Sequence, residues 1–292
     1  MSGEWLGPTT YVRDEQDMTT TPNLKADTRD RHGVRAVERA FDILTAFSDA
    51  HPRLALHELA EATCLPKASV HRIAATMIDY GFLRQAEDGS YLLGMRIMEV
   101  ARHASSSSLL LKIAKPIAQE MSELTGETVL CAEVDWKDRT VLIVDRIDAA
   151  HTLTVLSPVG RQSHLSCGCI AKAALSGWST ETASRIIGQL NLASRTPRSI
   201  TDPLKLAAEV RASRLRGYAT EQHEFCVGIV GVGVPVMVAE RPIGVVAVVA
   251  PSVRCNAKKL NEIGIQLRDA MAHQQQLADE SPQRGTSAAS SG

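Results

Sequence analysis

The sequence predicts an α+β protein with two domains, a small N-terminal helical domain that ends in a β-hairpin and a larger domain in which helices pack on an antiparallel sheet. Three observations predict this fold class. Apolar residues recur at helical spacing from about residue 35 to residue 80. Asp88-Gly89 then separates two short apolar runs, which is typical of a hairpin. Beyond Gly126, apolar runs of strand length alternate with helical segments, as they do in α+β domains.

Composition narrows the classes of protein. The 292 residues suffice for two domains, and the net charge of −1 gives no general attraction to polyanions, so nucleic-acid contacts would need a local patch. No apolar run reaches the roughly 18 residues of a membrane helix, and the N-terminus lacks an apolar signal core. Six scattered cysteines fit a reduced compartment better than a disulfide framework. We therefore expect a cytoplasmic protein without membrane partners.

Composition along the chain predicts five segments. The polar ends, residues 1–31 and 281–292, predict a disordered arm and a disordered tail. Between them we expect a winged helix-turn-helix domain at 32–95, a linker helix at 96–118 and the larger domain at 119–280.

The first domain has the spacing of a helix-turn-helix. Its second helix begins near Leu56, and Ala60 is small enough for the close crossing of two helices. Cys64 stands in the turn where glycine is usual, which is unfavourable if the residue is left-handed. Leu65 is expected to pack between the helices, and Pro66 suits the start of the third helix. The hairpin that follows is placed where a wing belongs.

This arrangement predicts a DNA-binding surface. Lys and Arg side chains reach phosphates and guanine edges, and Ser, Thr and His form short hydrogen bonds. The candidate contacts on the third helix are Lys67, Ala68, Ser69, His71, Arg72 and Thr76, and those on the wing are Arg84 and Tyr91. Residues 35–96 contain seven Lys/Arg against eight Asp/Glu, so a protein-interaction domain with solvated charges remains open.

The connection and the larger domain are expected to be mainly regular. Residues 93–125 predict a long helical stretch with four weak helix formers, Ser105 to Ser108, a fresh helix near Pro116 and a C-cap at Gly126. The predicted strands are 128–134, 140–147, 152–156, 228–238 and 243–251, and the predicted helices are 170–176, 181–189, 203–217 and 256–278.

Several stretches resemble the IclR family of bacterial regulators, over roughly residues 33–275. They are RAVERA at 35–40, LPKASVHR at 65–72, GFL at 81–83, YLLG at 91–94, TGETV at 125–129, PVGR at 158–161, TPRSIT at 196–201 and RGYA at 216–219. The resemblance implies a GAF-like effector-binding domain, dimers or dimers of dimers, and double-stranded operator DNA as a partner. The expected function is a transcription regulator, acting as a repressor, that responds to a small-molecule effector.

The sequence departs from the family pattern where the family binds its effector. The positions that the resemblance assigns to effector binding are Val155, Cys169, Ile170, Glu221, Gly231, Ala247 and Val249. The acid-sensing pattern has Asp at Glu221, Cys at Gly231, and Ser at both Ala247 and Val249. Losing these hydroxyls disfavours a small carboxylate, so we expect an apolar or aromatic catabolic metabolite. Glu221 could accept a hydrogen bond from the ligand or simply lie at the surface.

The sequence leaves two other kinds of function open. Cys167 and Cys169, with His164 nearby, would suit a redox or metal-responsive regulator, although Cys-x-Cys matches zinc spacing poorly and packing explains it better. A sensor or adaptor that does not bind DNA is the other alternative. No G-x-S-x-G elbow or second metalloprotease histidine occurs. We therefore expect no catalytic residues, metal or cofactor.

Overall fold

The computed structural model describes residues 33–48 and 50–280, with side chains described up to residue 274. The predicted arm and tail lie outside these residues. The chain divides between Ser107 and Ser108 into two compact units. In the described part, no helix is both long and apolar enough to cross a membrane.

The N-terminal unit consists of four helices and a hairpin in its described residues. In order they are α1 (Arg35–Thr45), α2 (Leu56–Thr63), α3 (Lys67–Asp79), β1 (Leu83–Gln85), β2 (Tyr91–Leu93) and α4 (Arg96–Ser107). The strands pair antiparallel, and a bridge from Leu54 to Tyr91 ties the segment before α2 to the hairpin. Ile43, Leu59 and Val70 lie at the centre of the unit's core. These elements confirm the predicted winged helix-turn-helix.

The turn between α2 and α3 shows the expected unfavourable residue. Cys64 has φ 54°, and its N–H bonds the carbonyls of Ala60 and Glu61 to close the helix. A residue with a Cβ is disfavoured in this region by roughly 1–2 kcal/mol. Ala60 is buried, as the close crossing of the two helices requires.

The connection between the units differs from the prediction. Helix α5 (Leu109–Thr125) begins after Ser108, whose hydroxyl accepts a hydrogen bond from the Leu111 N–H at 3.3 Å. The prediction of a fresh helix at Pro116 is wrong, because Pro116 lies inside α5. A serine is more favourable as an N-cap than within a helix, so the chain breaks there. The C-cap at Gly126 is confirmed by its φ of 67°.

The second unit is built on an antiparallel sheet. Within residues 108–280, six strands follow the order β5-β4-β3-β8-β7-β6. They are β3 (Thr128–Asp135), β4 (Thr140–Ile147), β5 (Gln162–His164), β6 (Ala219–Gln222), β7 (Ile229–Val238) and β8 (Arg241–Pro251). Helices α5 and α9 (Ala257–Glu280) pack on one face. Helices α6 (Gly168–Ser176), α7 (Thr180–Ile187) and α8 (Pro203–Arg216) pack on the other.

Two sheet edges differ from the sequence prediction. Residues 152–156 form no strand, so that prediction is wrong; they lie in an irregular segment from which Val155 packs against the sheet. One buried side chain in a loop produces the same apolar pattern as a short strand. The edge position belongs instead to β5, and β6 at the opposite edge was missed because its Thr-Glu-Gln sequence is polar.

Candidate functional sites

Helix α3 has an inner face that packs in the core and an outer face that is exposed. Val70, Ala74 and Met77 lie in the core. The outer face carries the predicted contacts: Lys67, Ala68, His71, Arg72 and Thr76 are exposed and Ser69 is half-buried. The Thr76 hydroxyl donates to the Arg72 carbonyl at 3.2 Å, which leaves its oxygen able to accept. The predicted third-helix residues therefore share one accessible surface.

The positive charges on this surface are not neutralised locally. Lys67, Arg72 and Arg84 form no ion pair with any residue that the structure describes, and the first turn of α3 contains no acidic residue. By contrast, Arg53 pairs with Asp88 at 2.9 Å. Unpaired cations on one helix face give the local attraction for phosphate that the whole chain lacks.

Tyr91 has to be removed from the predicted contacts. It is only 3% exposed and belongs to the core of the unit. Its N–H and carbonyl pair with those of Leu54 at 2.8 and 3.1 Å. Because strand residues alternate between two faces, Tyr91 points inward, whereas Arg84 on β1 is exposed. Arg84 therefore remains the predicted wing contact.

Most of the predicted effector residues lie on the sheet face beneath α6. Glu221, Gly231 and Val249 are direct cross-strand neighbours on β6, β7 and β8. A Cβ built on Gly231 would lie 2.8 Å from Cys169 Sγ and 3.2 Å from Glu221 Oε1, so both side chains pack over this glycine. Ala247 is buried in the same cluster, and Val155 and Ile170 pack against it half-buried.

Glu221 is a buried carboxyl with few partners. It is 5% exposed, which makes a surface position wrong. Oε2 accepts from the Phe225 N–H at 3.1 Å and Oε1 from the Cys169 thiol at 3.4 Å. Burial raises the pKa of this carboxyl, and the nearby Glu224 charge adds to the rise. The site therefore offers a buried hydrogen-bonding group with a spare acceptor.

A second charged group at this site was missed by the sequence analysis. Lys172 on α6 is 1% exposed, and its Nζ lies 2.6 Å from Glu224 Oε1. The Ser199 hydroxyl and the Cys167 thiol both donate to the Glu224 carbonyl. A lysine within the apolar run Ile170–Leu175 was a usable signal. Its partner, 52 residues further along the chain, was not predictable without the fold.

Cys167 and Cys169, which lie near this site, are poorly suited to sense redox state or a metal ion. Burial raises the pKa of the Cys167 thiol to about 11, and it raises that of the fully enclosed Cys169 thiol well above its usual value. The thiolate is the reactive and metal-binding form, so burial suppresses both chemistries. Among the described residues, no three His, Cys, Asp or Glu side chains form a group that could hold a metal. The cysteine-based alternative has no support.

The two units together define a class of protein. A helix with exposed, unpaired cations precedes a hairpin wing, and a separate α+β unit contains a buried polar site. This is the organisation of a ligand-responsive transcription regulator that binds DNA.

Comparison with known proteins identifies the family. The IclR helix-turn-helix domain matches residues 36–87, and the C-terminal region of the bacterial transcriptional regulator IclR matches residues 102–275. The chain belongs to the IclR family of bacterial transcription regulators, and the predicted fold class is confirmed.

Individual relatives agree with this assignment. The transcriptional repressor IclR of Escherichia coli is 27% identical over 233 residues, covering 79% of this chain and 85% of that protein. The regulator KipR of Bacillus subtilis is 32% identical over 192 residues, covering 66% and 76%. The crystal structure of an IclR homolog complexed with 4-hydroxybenzoate from Microbacterium hydrocarbonoxydans has a TM-score of 0.68 at 19% identity, covering 82% and 99%.

Proposed function

We propose that this cytoplasmic regulator represses transcription by placing α3 in the major groove of its operator and that an aromatic effector controls this binding. The observation that carries the DNA-binding part is the charge of Lys67 and Arg72 on the outer face of α3, which no acidic residue in the described part of the chain neutralises. Lys67, at the start of the helix, is suited to a phosphate, and Arg72 to a guanine edge. The exposed methyl group of Ala68 suits contact with a thymine methyl.

The test is the Lys67→Ala/Arg72→Ala variant in a binding titration with the DNA upstream of its own gene. We expect an affinity loss of at least about tenfold, and the slope of log affinity against log salt should decrease by about one per lost phosphate contact. Lys205→Ala/Arg211→Ala, which removes two exposed cations from α8, is the matched control. Unchanged affinity in the α3 variant, with the fold intact, would refute this assignment.

The effector part rests on the residues beneath α6. Val249, Ala247 and the half-buried Val155 and Ile170 provide an apolar lining, and Glu221 provides one buried polar group. This combination favours an aromatic ligand with a hydrogen-bond donor over a two-carbon acid. The 4-hydroxybenzoate complex of the structural relative supports the same class. We expect 4-hydroxybenzoate to raise the melting temperature more than glyoxylate or pyruvate; selective stabilisation by glyoxylate or pyruvate would contradict the proposal.

A second copy of the chain is the proposed partner of α1 and α4. Val37 and Phe41 on α1 are exposed, Phe41 to 61%, and α4 exposes Met98 and Val100 while burying no residue. Exposed apolar faces of this kind indicate an interface. A homodimer, or a dimer of dimers, would place two copies of α3 on the two halves of a palindromic operator.

A further inference from the structure

A buried hydroxyl lies at the start of β3, on Thr128. The residue is 0% exposed, and its Oγ1 bonds no residue that the structure describes. Thr140 on β4 is also buried, but its hydroxyl accepts from Gln162 Nε2 at 3.0 Å. Leaving a buried hydroxyl unpaired is unfavourable, so the exception needs a physical reason.

The position of Thr128 connects it to the proposed effector site. Thr128 pairs with Val249, Val249 with Gly231, and Gly231 with Glu221. These four residues form one row across β3, β8, β7 and β6. Leu130, two residues along β3, packs in the cluster beneath α6, so alternation places the Thr128 side chain on that same face.

The row has a polar group at each end and apolar residues between them. The Glu221 carboxyl lies over Gly231, the next residue in the row, because its Oε1 is 3.2 Å from a Cβ built on that glycine. With strands about 4.8 Å apart, the carboxyl and Thr128 are then separated by about two strand spacings, roughly 10 Å. A single ring with a polar substituent at each end has about this length. It would lie where Cys169 Sγ now packs over Gly231, so its binding requires that side chain to move aside.

We propose that the Thr128 hydroxyl is the second polar contact of the effector. It donates a hydrogen bond to an oxygen at one end of an aromatic ligand, and a hydroxyl or amine at the other end donates to Glu221. The inference rests on the proposed effector site and adds a requirement to it, namely an acceptor oxygen across the ring. Binding would give Thr128 the partner that it lacks, so its bond would contribute to affinity.

Calorimetric titration of the full chain with three probes tests the proposed hydrogen bond between Thr128 and the effector. 4-Hydroxybenzoate and 4-hydroxybenzamide carry the acceptor oxygen in charged and neutral form, and phenol lacks it. Thr128→Val should weaken binding of the first two about three- to tenfold and leave phenol unchanged. Thr128→Ser, which keeps the hydroxyl, should stay within about threefold of wild type. Thr140→Val is the matched control, since it removes a buried hydroxyl that already has a partner.

The stability of the ligand-free protein provides a second readout. Removing an unpaired buried hydroxyl should raise the melting temperature of Thr128→Val, whereas Thr140→Val should lower it. A structural role for Thr128 would instead lower the melting temperature of its valine variant and leave ligand affinity unchanged, and that result overturns the inference.

A further variant separates failure of this inference from failure of the proposed site. Glu221→Met should weaken all three probes. If it does so while Thr128→Val has no effect, the Thr128 contact is wrong and the site stands. If neither variant affects binding, the effector site itself is misplaced. Absence of binding by all three probes overturns the ligand class, and with it this inference, but leaves the DNA-binding proposal intact.

Discussion

Glu221 shows at the residue scale how burial changes the chemistry of a carboxyl. The Phe225 N–H and the Cys169 thiol donate to it, and neither carries a charge. Glu224 faces it with a like charge, while Lys172 partly offsets the effect. The carboxyl therefore has a raised pKa and binds its proton more readily in the folded than in the unfolded protein.

The pH dependence of stability follows from this direction. Because the pKa of Glu221 is higher in the folded state, its contribution should favour folding at low pH and be lost as pH rises from the ordinary glutamate range to the raised pKa. Glu221→Gln should remove that part of the pH dependence. Urea unfolding of both proteins between about pH 4 and 8 measures it. Glu209→Gln, the same substitution at an exposed position of α8, is the matched control.

The buried thiols give a second prediction at the residue scale. Cys169 should resist alkylation by iodoacetamide in the folded protein, because burial disfavours its thiolate, whereas the exposed Cys64 should react. Mass spectrometry before and after unfolding in urea measures the difference. Rapid native alkylation of Cys169, or loss of DNA binding in a Cys167→Ala/Cys169→Ala variant, would revive a cysteine-based mechanism.

Helix α5 shows at the element scale that two local signals can compete. Ser108 and Pro116 both mark possible helix starts, and the chain uses Ser108. Pro116 is then accommodated on the exposed side of α5, where its missing N–H cannot bond the carbonyl of Lys112. The helix therefore retains a local defect in a segment whose other face is buried against the sheet.

Replacing Pro116 tests how much the missing hydrogen bond lowers the free energy of unfolding. Pro116→Ala restores a backbone donor and should raise the free energy of unfolding by about 1–3 kcal/mol, as measured by urea denaturation. Glu120→Ala, an exposed change one turn further along, should have an effect within about 0.5 kcal/mol. Destabilisation by Pro116→Ala would indicate that the packing of α5 requires the proline geometry.

Regulation is a property of the whole molecule, because one chain provides one copy of α3. An effector alters DNA binding only if it binds one arrangement of the paired DNA-binding units more tightly than another. The exposed apolar residues of α1 and α4 are the surfaces on which the proposed pairing depends.

Disrupting that pairing gives the prediction at this scale. Val37→Glu/Phe41→Glu should make the chain sediment as a monomer, in place of the proposed dimer, and weaken operator binding by more than tenfold, since charged groups are unfavourable in an apolar interface. Leu204→Glu changes a still more exposed apolar residue on α8 and should leave the proposed dimer and its DNA binding intact. A double variant that still sediments as a dimer would exclude α1 from the interface.

Elements whose signals are local were predictable from the sequence. The helix-turn-helix, the Asp-Gly hairpin, the cap at Gly126 and the outer face of α3 depend on neighbouring residues and on helical or strand periodicity. The positions of these elements, and membership of the family, could therefore be predicted from the sequence.

Which distant residues meet depends on the three-dimensional fold. The inward position of Tyr91, the pairing of Lys172 with Glu224 and the row from Thr128 to Glu221 all depend on strand pairing or packing between segments far apart in the chain. Whether a polar residue is buried, and whether it finds a partner there, is set by these long-range contacts. Periodicity along the sequence carries no information about them.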